Sequence, residues 1–430
     1  MKMASFLELV RDNIDKGLAT MQPVQLSTEF TAIKEIRVAT SITTPQTISR
    51  SDETKLMYTT YGLANVAGGS YTGQSPNGVQ MKVEFMTDST LFEIKTIGSI
   101  GTYSIFIDGK LVNADAFATP NGEAVSWMQV KANDGVISGK LRHVEIYGIN
   151  SAFGAFVFGA GDTVSREISI KRPLIYQMGD SYTYGTGAGF RTQAYGSSPA
   201  VNDFYAFTRS LGFDGIAEGI GGSGWNSAAG QYPMSRVQTR LAKLNRKPSV
   251  ISWALGYNDA AAILTGTNSQ KLLVSMGECL AETRKVYSDV PIIQISSATP
   301  KGITTGIQKV IDLVNGFCSD NDIPVINISS YVTNANSAIY TGTDNVHPGT
   351  LGHEFRGMAM AREVLLAASG QKSLTVPVTP RAFNVVARLT KSFGVTIFSG
   401  VVNAIDENDV AGQLYLQTGA RVEILSVSRA

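Results

Sequence analysis

Between residues 174 and 368, short apolar runs alternate with amphipathic helical segments, and this alternation restricts the possible folds more than any other feature of the chain. The runs are Leu174 to Met178, Gly215 to Ile220, Val250 to Leu255, Ile292 to Ser296 and Val325 to Ile328. Between them, Met234, Val237, Leu241 and Leu244 fit one helix face, and Ile307, Val310, Ile311, Val314, Phe317 and Cys318 fit another. Strands without in/out alternation, each followed by a helix, predict five βα units forming a parallel sheet covered on both faces.

The flanks read differently. From about 25 to 170, Val79, Met81, Val83 and Phe85 alternate with polar residues, and Tyr103 to Ile107 leads into the hairpin signal Asp108-Gly109. Leu141 to Gly148 and Ala155 to Phe158 continue the pattern, which predicts a β-sandwich of jelly-roll type. Ahead of it, within residues 1–24, Ser5 and Glu8 form a capping box. Phe6, Val10, Ile14 and Leu18 then recur at helical spacing, so an amphipathic helix is expected over 5–18. The periodicity changes at Lys171-Arg172-Pro173, which opens the central region 171–370. Residues 371–430 begin with a linker pattern, Val376-Pro377-Val378-Thr379-Pro380. Strand-like runs follow at Val395 to Phe398, Gln413 to Gln417 and Val422 to Val427, predicting a small β domain. The cluster Asp406-Glu407-Asn408-Asp409 lacks the glycine and distal glutamate of a calcium loop and is read as a solvated turn.

At 430 residues the chain exceeds what one core usually holds, so several domains are expected. A net charge of +1 without a basic stripe argues against nucleic acid as a partner. No segment approaches eighteen apolar residues and the N-terminus has no signal-peptide pattern, so neither membrane spanning nor classical secretion is expected. Cys279 and Cys318 lie among apolar neighbours and are read as buried thiols.

The first strand ends at Gly179-Asp180-Ser181-Tyr182, placing a serine where open α/β sheets put their ligand sites. A serine hydroxyl needs a base and oxyanion donors before it can attack a carbonyl. Of the three histidines, His143 falls in the sandwich pattern as a structural or surface residue. His353 falls in the last helix and is read as surface or capping. His347 stands in the polar turn Asp344-Asn345-Val346-His347-Pro348, with an acid three residues ahead that could orient its imidazole. Ile220-Gly221-Gly222-Ser223-Gly224 and Gly256-Tyr257-Asn258-Asp259 are candidate oxyanion donors, although either could be plain turn chemistry.

These four blocks, in this order at successive strand ends, resemble the SGNH (GDSL-like) hydrolase family over residues 174–368. The resemblance implies a flavodoxin-like three-layer fold and esterase activity without a metal or other cofactor. It makes Ser181 the nucleophile and His347 the base oriented by Asp344. It also makes the Ser181 backbone N–H, Gly222 and Asn258 the oxyanion donors. Tyr182 replaces the leucine of the older Gly-Asp-Ser-Leu label. Ala217-Glu218 stands where an asparagine often precedes the glycines, which leaves Gly221 as an alternative to Gly222.

Two rivals fit worse. Gly219, Gly221 and Gly224 satisfy Gly-x-Gly-x-x-Gly, but around Arg240 the chain is still helical where dinucleotide binding needs a strand-end acid. His347 and His353 are spaced poorly for a shared metal and have no third histidine nearby. A non-catalytic carbohydrate-binding or structural protein stays in competition, because a fold does not guarantee turnover. A jelly-roll-like domain ahead of an SGNH domain resembles carbohydrate O-acetylesterases, with Tyr182, Tyr184, Trp225 and Tyr257 as aromatics that could contact a sugar. The β-rich ends and helical start resemble a bacteriophage tail protein. The expectations from that likeness are an acetylated bacterial polysaccharide as substrate, a homotrimer with other virion tail proteins as partners, and a virion tail location.

Overall fold

The computed structural model describes residues 3–20, 24–35, 37–60, 80–97, 101–112, 117–119, 125–149, 153–168, 171–187, 202–226, 232–264, 268–371, 381–391, 394–404 and 421–429. Five parallel strands form the central sheet in the spatial order Asp214–Gly219, Leu174–Gly179, Val250–Ala254, Ile292–Ile295, Val325–Ile326. The second strand in sequence lies outside the first, so the chain reverses direction across the sheet between the second and third strands. That reversal opens a crevice beyond the carboxyl end of Leu174–Gly179.

Alternate residues of these strands feed two separate cores. On one face Ile175, Ala217, Val250, Ile293 and Ile326 pack against the helices Asp203–Ser210 and Thr350–Ala368. On the other, Tyr176, Met178, Ile216, Ile251 and Trp253 meet the helices Pro233–Thr239, Ser269–Val286 and Thr305–Asp320. The result is the expected three-layer arrangement, with strands that read as continuous apolar runs because both sides are covered.

The N-terminal helix spans Met3–Asp15 and docks on this unit. Phe6 and Val10 enter the core beside Phe213, and Arg11 Nε donates to the Ala368 carbonyl at 2.6 Å. The expected stripe is shorter than its spacing suggests. Ile14 is exposed, Leu18 lies beyond the helix end, and the buried Asn13 takes the next inward position by donating to the Leu211 carbonyl.

Two antiparallel sheets lie ahead of the central unit. One runs Phe30–Glu35, Val125–Ala132, Leu91–Ile97, Phe153–Gly159, Pro45–Ser49, and the other contains Val164–Ser165, Gln80–Thr87, Arg142–Ile149, Gly101–Ile107 and Lys110–Leu111. Their facing residues, among them Phe30, Ile48, Phe85, Phe92, Met128, Ile146 and Phe156, make one core, a two-sheet sandwich. Asp108 and Gly109 both take positive φ, 50° and 79°, as a two-residue hairpin requires. Outward from the second sheet, Phe106 and Tyr147 join the central core. Beside them the buried Lys82 pairs with Glu84, Glu145 and Asp214 at 2.7, 2.9 and 3.0 Å. Glu84, His143 and Glu145 approach closely enough to suggest a metal, but the Lys82 ammonium already sits between the two glutamates.

At the C-terminus, strands Arg381–Lys391, Gly394–Ala404 and Arg421–Arg429 form an antiparallel sheet around Val385, Ala387, Leu389 and Val402. The expected runs at 395–398 and 422–427 fall inside two of these strands, and the central one, 381–391, has no counterpart in the sequence reading. The expected linker at 376–380, the acidic turn at 406–409 and the run 413–417 lie outside the described residues. Among the described residues no helix is long and apolar enough to cross a membrane.

Candidate active site

Asp180 follows the strand Leu174–Gly179 and caps the four-residue helix Ser181–Tyr184, its carboxylate accepting the Tyr182 N–H at 2.9 Å. This turn lifts Ser181 out at the end of the sheet, where it remains only 8% exposed. Burial raises the Asp180 pKa to about 7, against the opposing pull of the Tyr182 amide and Arg356.

The second element is the loop before the helix Thr350–Ala368. Asp344 Oδ1 accepts the N–H groups of Val346 and His347, both at 2.9 Å, while Oδ2 lies 2.6 Å from His347 Nδ1. Asn345 at φ 62° lets the chain turn back far enough for one carboxylate to make all three contacts. Partial burial works to raise the Asp344 pKa, but the bonds from His347 and the two amides outweigh it and hold it below the ordinary value. A carboxylate only accepts, so Nδ1 carries the proton and Nε2 is left as the acceptor. Ser181 Oγ lies 2.8 Å from that Nε2 and donates to it, across 166 residues of sequence.

Two strand-end loops complete the crevice. Gly222 lies in the loop after Asp214–Gly219 with φ 73°, and Asn258 follows Val250–Ala254, its amide donating to the Ser223 carbonyl at 2.8 Å. An amide nitrogen carries two protons, so this bond orients Asn258 and leaves its second donor for another acceptor. Asp259 ties the two loops together by accepting the N–H groups of Trp225 and Asn226 at 2.7 and 2.8 Å. Burial raises its pKa, with the two amides opposing. Gly224 is required by this closure, since a Cβ there would come within 2.5 Å of Asp259 Oδ2. Gly256 is required by its own backbone, at φ 132°.

Sequence reading missed the residue that fastens the strand ends. Arg236 is fully buried and donates to the carbonyls of Gly179 and Glu218 at 2.7 Å each and to Ser223 Oγ at 3.1 Å, while pairing with the Glu218 carboxylate at 2.6 Å. It thus joins the residue before Asp180 to the glycine loop. A helical arginine followed by an apolar i+1 neighbour carries no local sign of this role.

Three readings need correction. Trp225 is fully buried and packs edge-on against Trp253 with ring centroids 5.3 Å apart, so it is core and offers no face to a sugar. Tyr182 is 4% exposed, which removes it from the sugar-contacting set as well. His353 is not a surface residue: it is fully buried, with Nε2 2.9 Å from the Thr186 carbonyl and Nδ1 accepting, at 3.3 Å, the N–H of Asp203, which opens the helix Asp203–Ser210 rather than His353's own. Tyr257 and Tyr184 remain partly exposed, and the Tyr257 ring lies against that of Tyr182. His143 behaves as expected of a structural residue, 3.1 Å from Glu84. Beneath the turn, a cavity of about 20 Å3 lined by Gln177, Asp180, Asp203, Ser297 and Arg356 has room for one water and none for an acyl group.

Residues 178–355 match the model of a family described as the GDSL-like lipase/acylhydrolase family. No curated protein matches the chain. Among solved structures, a salicylyl-acyltransferase from a tetracycline biosynthetic pathway is 16% identical with a TM-score of 0.54, the match covering 76% of this chain and 98% of that one. An active-site mutant of a family two carbohydrate esterase from Clostridium thermocellum is 18% identical with a TM-score of 0.54, covering 74% and 98%. An acetyl xylan esterase from the rumen bacterium Butyrivibrio proteoclasticus is 16% identical with a TM-score of 0.52, covering 76% and 99%. Each match is longer than the central unit alone, and at these identities each speaks for the fold.

Proposed function

We propose, from the premise that residues 178–355 form a GDSL-like lipase/acylhydrolase domain, that the chain is a serine esterase removing O-acetyl groups from a carbohydrate. The observation that carries the proposal is the 2.8 Å contact between Ser181 Oγ and His347 Nε2, with Asp344 2.6 Å behind Nδ1. In the proposed reaction His347 Nε2 takes the hydroxyl proton as Ser181 Oγ bonds to the ester carbonyl carbon. The negative charge on the carbonyl oxygen is met by the Ser181 and Gly222 N–H groups and by Asn258. Collapse breaks the carbon–oxygen bond to the sugar, the leaving alkoxide takes the proton from His347, and water then hydrolyses the acetyl-serine by the same steps.

Two considerations favour a carbohydrate ester. Of the three neighbours named above, one is by title a family two carbohydrate esterase and one an acetyl xylan esterase, and their matches extend past the hydrolase unit. Tyr257, partly exposed and 5.6 Å ring to ring from the Tyr182 that follows the serine, leaves aromatic surface near it. The acids of the site also fit acyl transfer better than chain cleavage, which usually needs two carboxylates flanking a glycosidic bond. Asp180 caps a helix, Asp259 holds two amides and Asp344 faces His347.

The proposal extends to the setting expected from the sequence, a homotrimeric bacteriophage tail protein acting on host surface polysaccharide. Support for self-association comes from the C-terminal sheet, where Ile397, Val401 and Leu425 are each about half exposed. The test incubates acetylated bacterial polysaccharides with the protein after dialysis against a chelator. Acetate should be released in proportion to enzyme and time while the size-exclusion profile of the polymer stays fixed. Shortening of the polymer, or zinc-dependent activity, would refute the reading.

A further inference from the structure

Tyr182 follows the nucleophile, yet its side chain points into the protein and touches the opposite loop. Its hydroxyl donates to the carbonyl of Val346, the residue before His347, at 2.5 Å. Its ring lies 5.6 Å from the His347 imidazole at 49°, and 5.6 Å from the Tyr257 ring at 64°. The guanidinium of Arg356 stands 5.0 Å over the ring centroid and is itself held by Asp203 Oδ2 at 3.0 Å. Tyr182 is therefore clamped from behind and bonded to the base loop in front.

We infer that Tyr182 is a positioning residue, which holds His347 in line with Ser181 through the Val346 carbonyl and the ring contact. This rests on the esterase reading above. The physical need is clear from the loop itself. Its bonds nearest the imidazole are local, Asp344 to the Val346 and His347 amides, and they fix the shape of the turn without fixing its distance from Ser181. The Tyr182 hydroxyl supplies that distance, because its own backbone belongs to the nucleophile turn. A general base displaced by a fraction of an ångström loses much of its effect, so the loss should fall on the chemical step and leave ground-state binding alone.

Tyr182→Phe keeps the ring and removes the bond. We expect kcat on a chromogenic acetyl ester to fall about tenfold with KM within about twofold of the parent. Phosphonylation of Ser181 by a fluorophosphonate should slow by a similar factor, and its final stoichiometry counts folded sites, so partial misfolding cannot imitate the effect. Ser181→Ala run in parallel separates the two claims. Turnover retained by Ser181→Ala defeats the esterase reading, whereas an inactive Ser181→Ala beside a Tyr182→Phe of parental kcat defeats only the positioning role. A loss carried by KM would also overturn it, since Tyr182 would then be a substrate contact.

Discussion

Ser181 stands on a turn whose neighbours are buried, with Asp180 only 2% exposed beneath it, whereas the Asp344 side chain on the opposite loop is 50% exposed and that of His347 is 21% exposed. The nucleophile side is built from the core outward. Asp180 caps the turn, Arg236 binds the strand ends, and Gln177 donates to Thr183 Oγ1 at 2.8 Å beneath it. The His347 side is built from its own sequence, four residues that turn on one carboxylate, attached to the body by few bonds among the described residues. Among these are the Tyr182 hydroxyl to Val346 and Thr341 to the Pro300 carbonyl. The contrast teaches that the closest packing lies around Ser181, while Asp344 and His347 sit at the rim with access to solvent.

Substitutions on the two sides should therefore fail in different ways. The largest effect is expected from Ser181→Ala, which removes the atom proposed to attack the ester. Ester turnover should drop by about 10⁴-fold or more while the melting temperature moves little, and a folded variant with parental kcat would remove the nucleophile side from the comparison altogether.

Asp344→Asn probes the exposed side. Its Oδ1 can still accept the two amides, so the turn should survive, but an amide NH2 facing Nδ1 favours the wrong imidazole tautomer. Such a change at a buried aspartate costs about 10⁴-fold. Half exposure lets water share the role of Asp344, so a smaller loss of about 100-fold in kcat is expected, with an unchanged denaturation midpoint. A loss as large as that of Ser181→Ala would mean that the rim is as tightly organised as the core.

Asp180→Asn tests the buried side through stability. Burial places the folded pKa near 7 against an ordinary 3.8, so between these values the folded state holds a proton that the unfolded state has released. Stability from this group is thus full at low pH and declines as pH rises from about 4 to 7. Asparagine keeps an acceptor for the Tyr182 amide without that penalty. The variant should be more stable than the parent at pH 8, on the order of 1–3 kcal/mol, and equal to it near pH 3.5. Urea midpoints at the two pH values decide the matter, and an equal shift at both would show that Asp180 is not held in a dry environment.

Much of this architecture is local in origin and was open to reading from the chain. Apolar runs of about five residues separated by helical periodicity specify covered parallel strands, because each strand must hide both faces. Asp108-Gly109 specifies a hairpin because few residues tolerate positive φ. Asp344 through His347 carry their own turn in four positions, and Asp180 through Tyr182 carry their cap in three. Other features depend on partners that no local pattern encodes. Trp225 looks like a sugar platform until Trp253 is found against it, and His353 looks like a surface residue until Asp203 and Thr186 close over it. Arg236 and Lys82 read as ordinary polar positions, yet their charges are buried among carbonyls and carboxylates that arrive from distant strands. Sequence thus determined which segments become strands, helices and turns, since hydrophobic period and backbone strain act within a few residues. Tertiary structure alone decided that Ser181 and His347 meet, that Tyr182 faces inward and that Arg236 joins the strand ends, because those contacts form only once the chain has closed loops of tens to hundreds of residues.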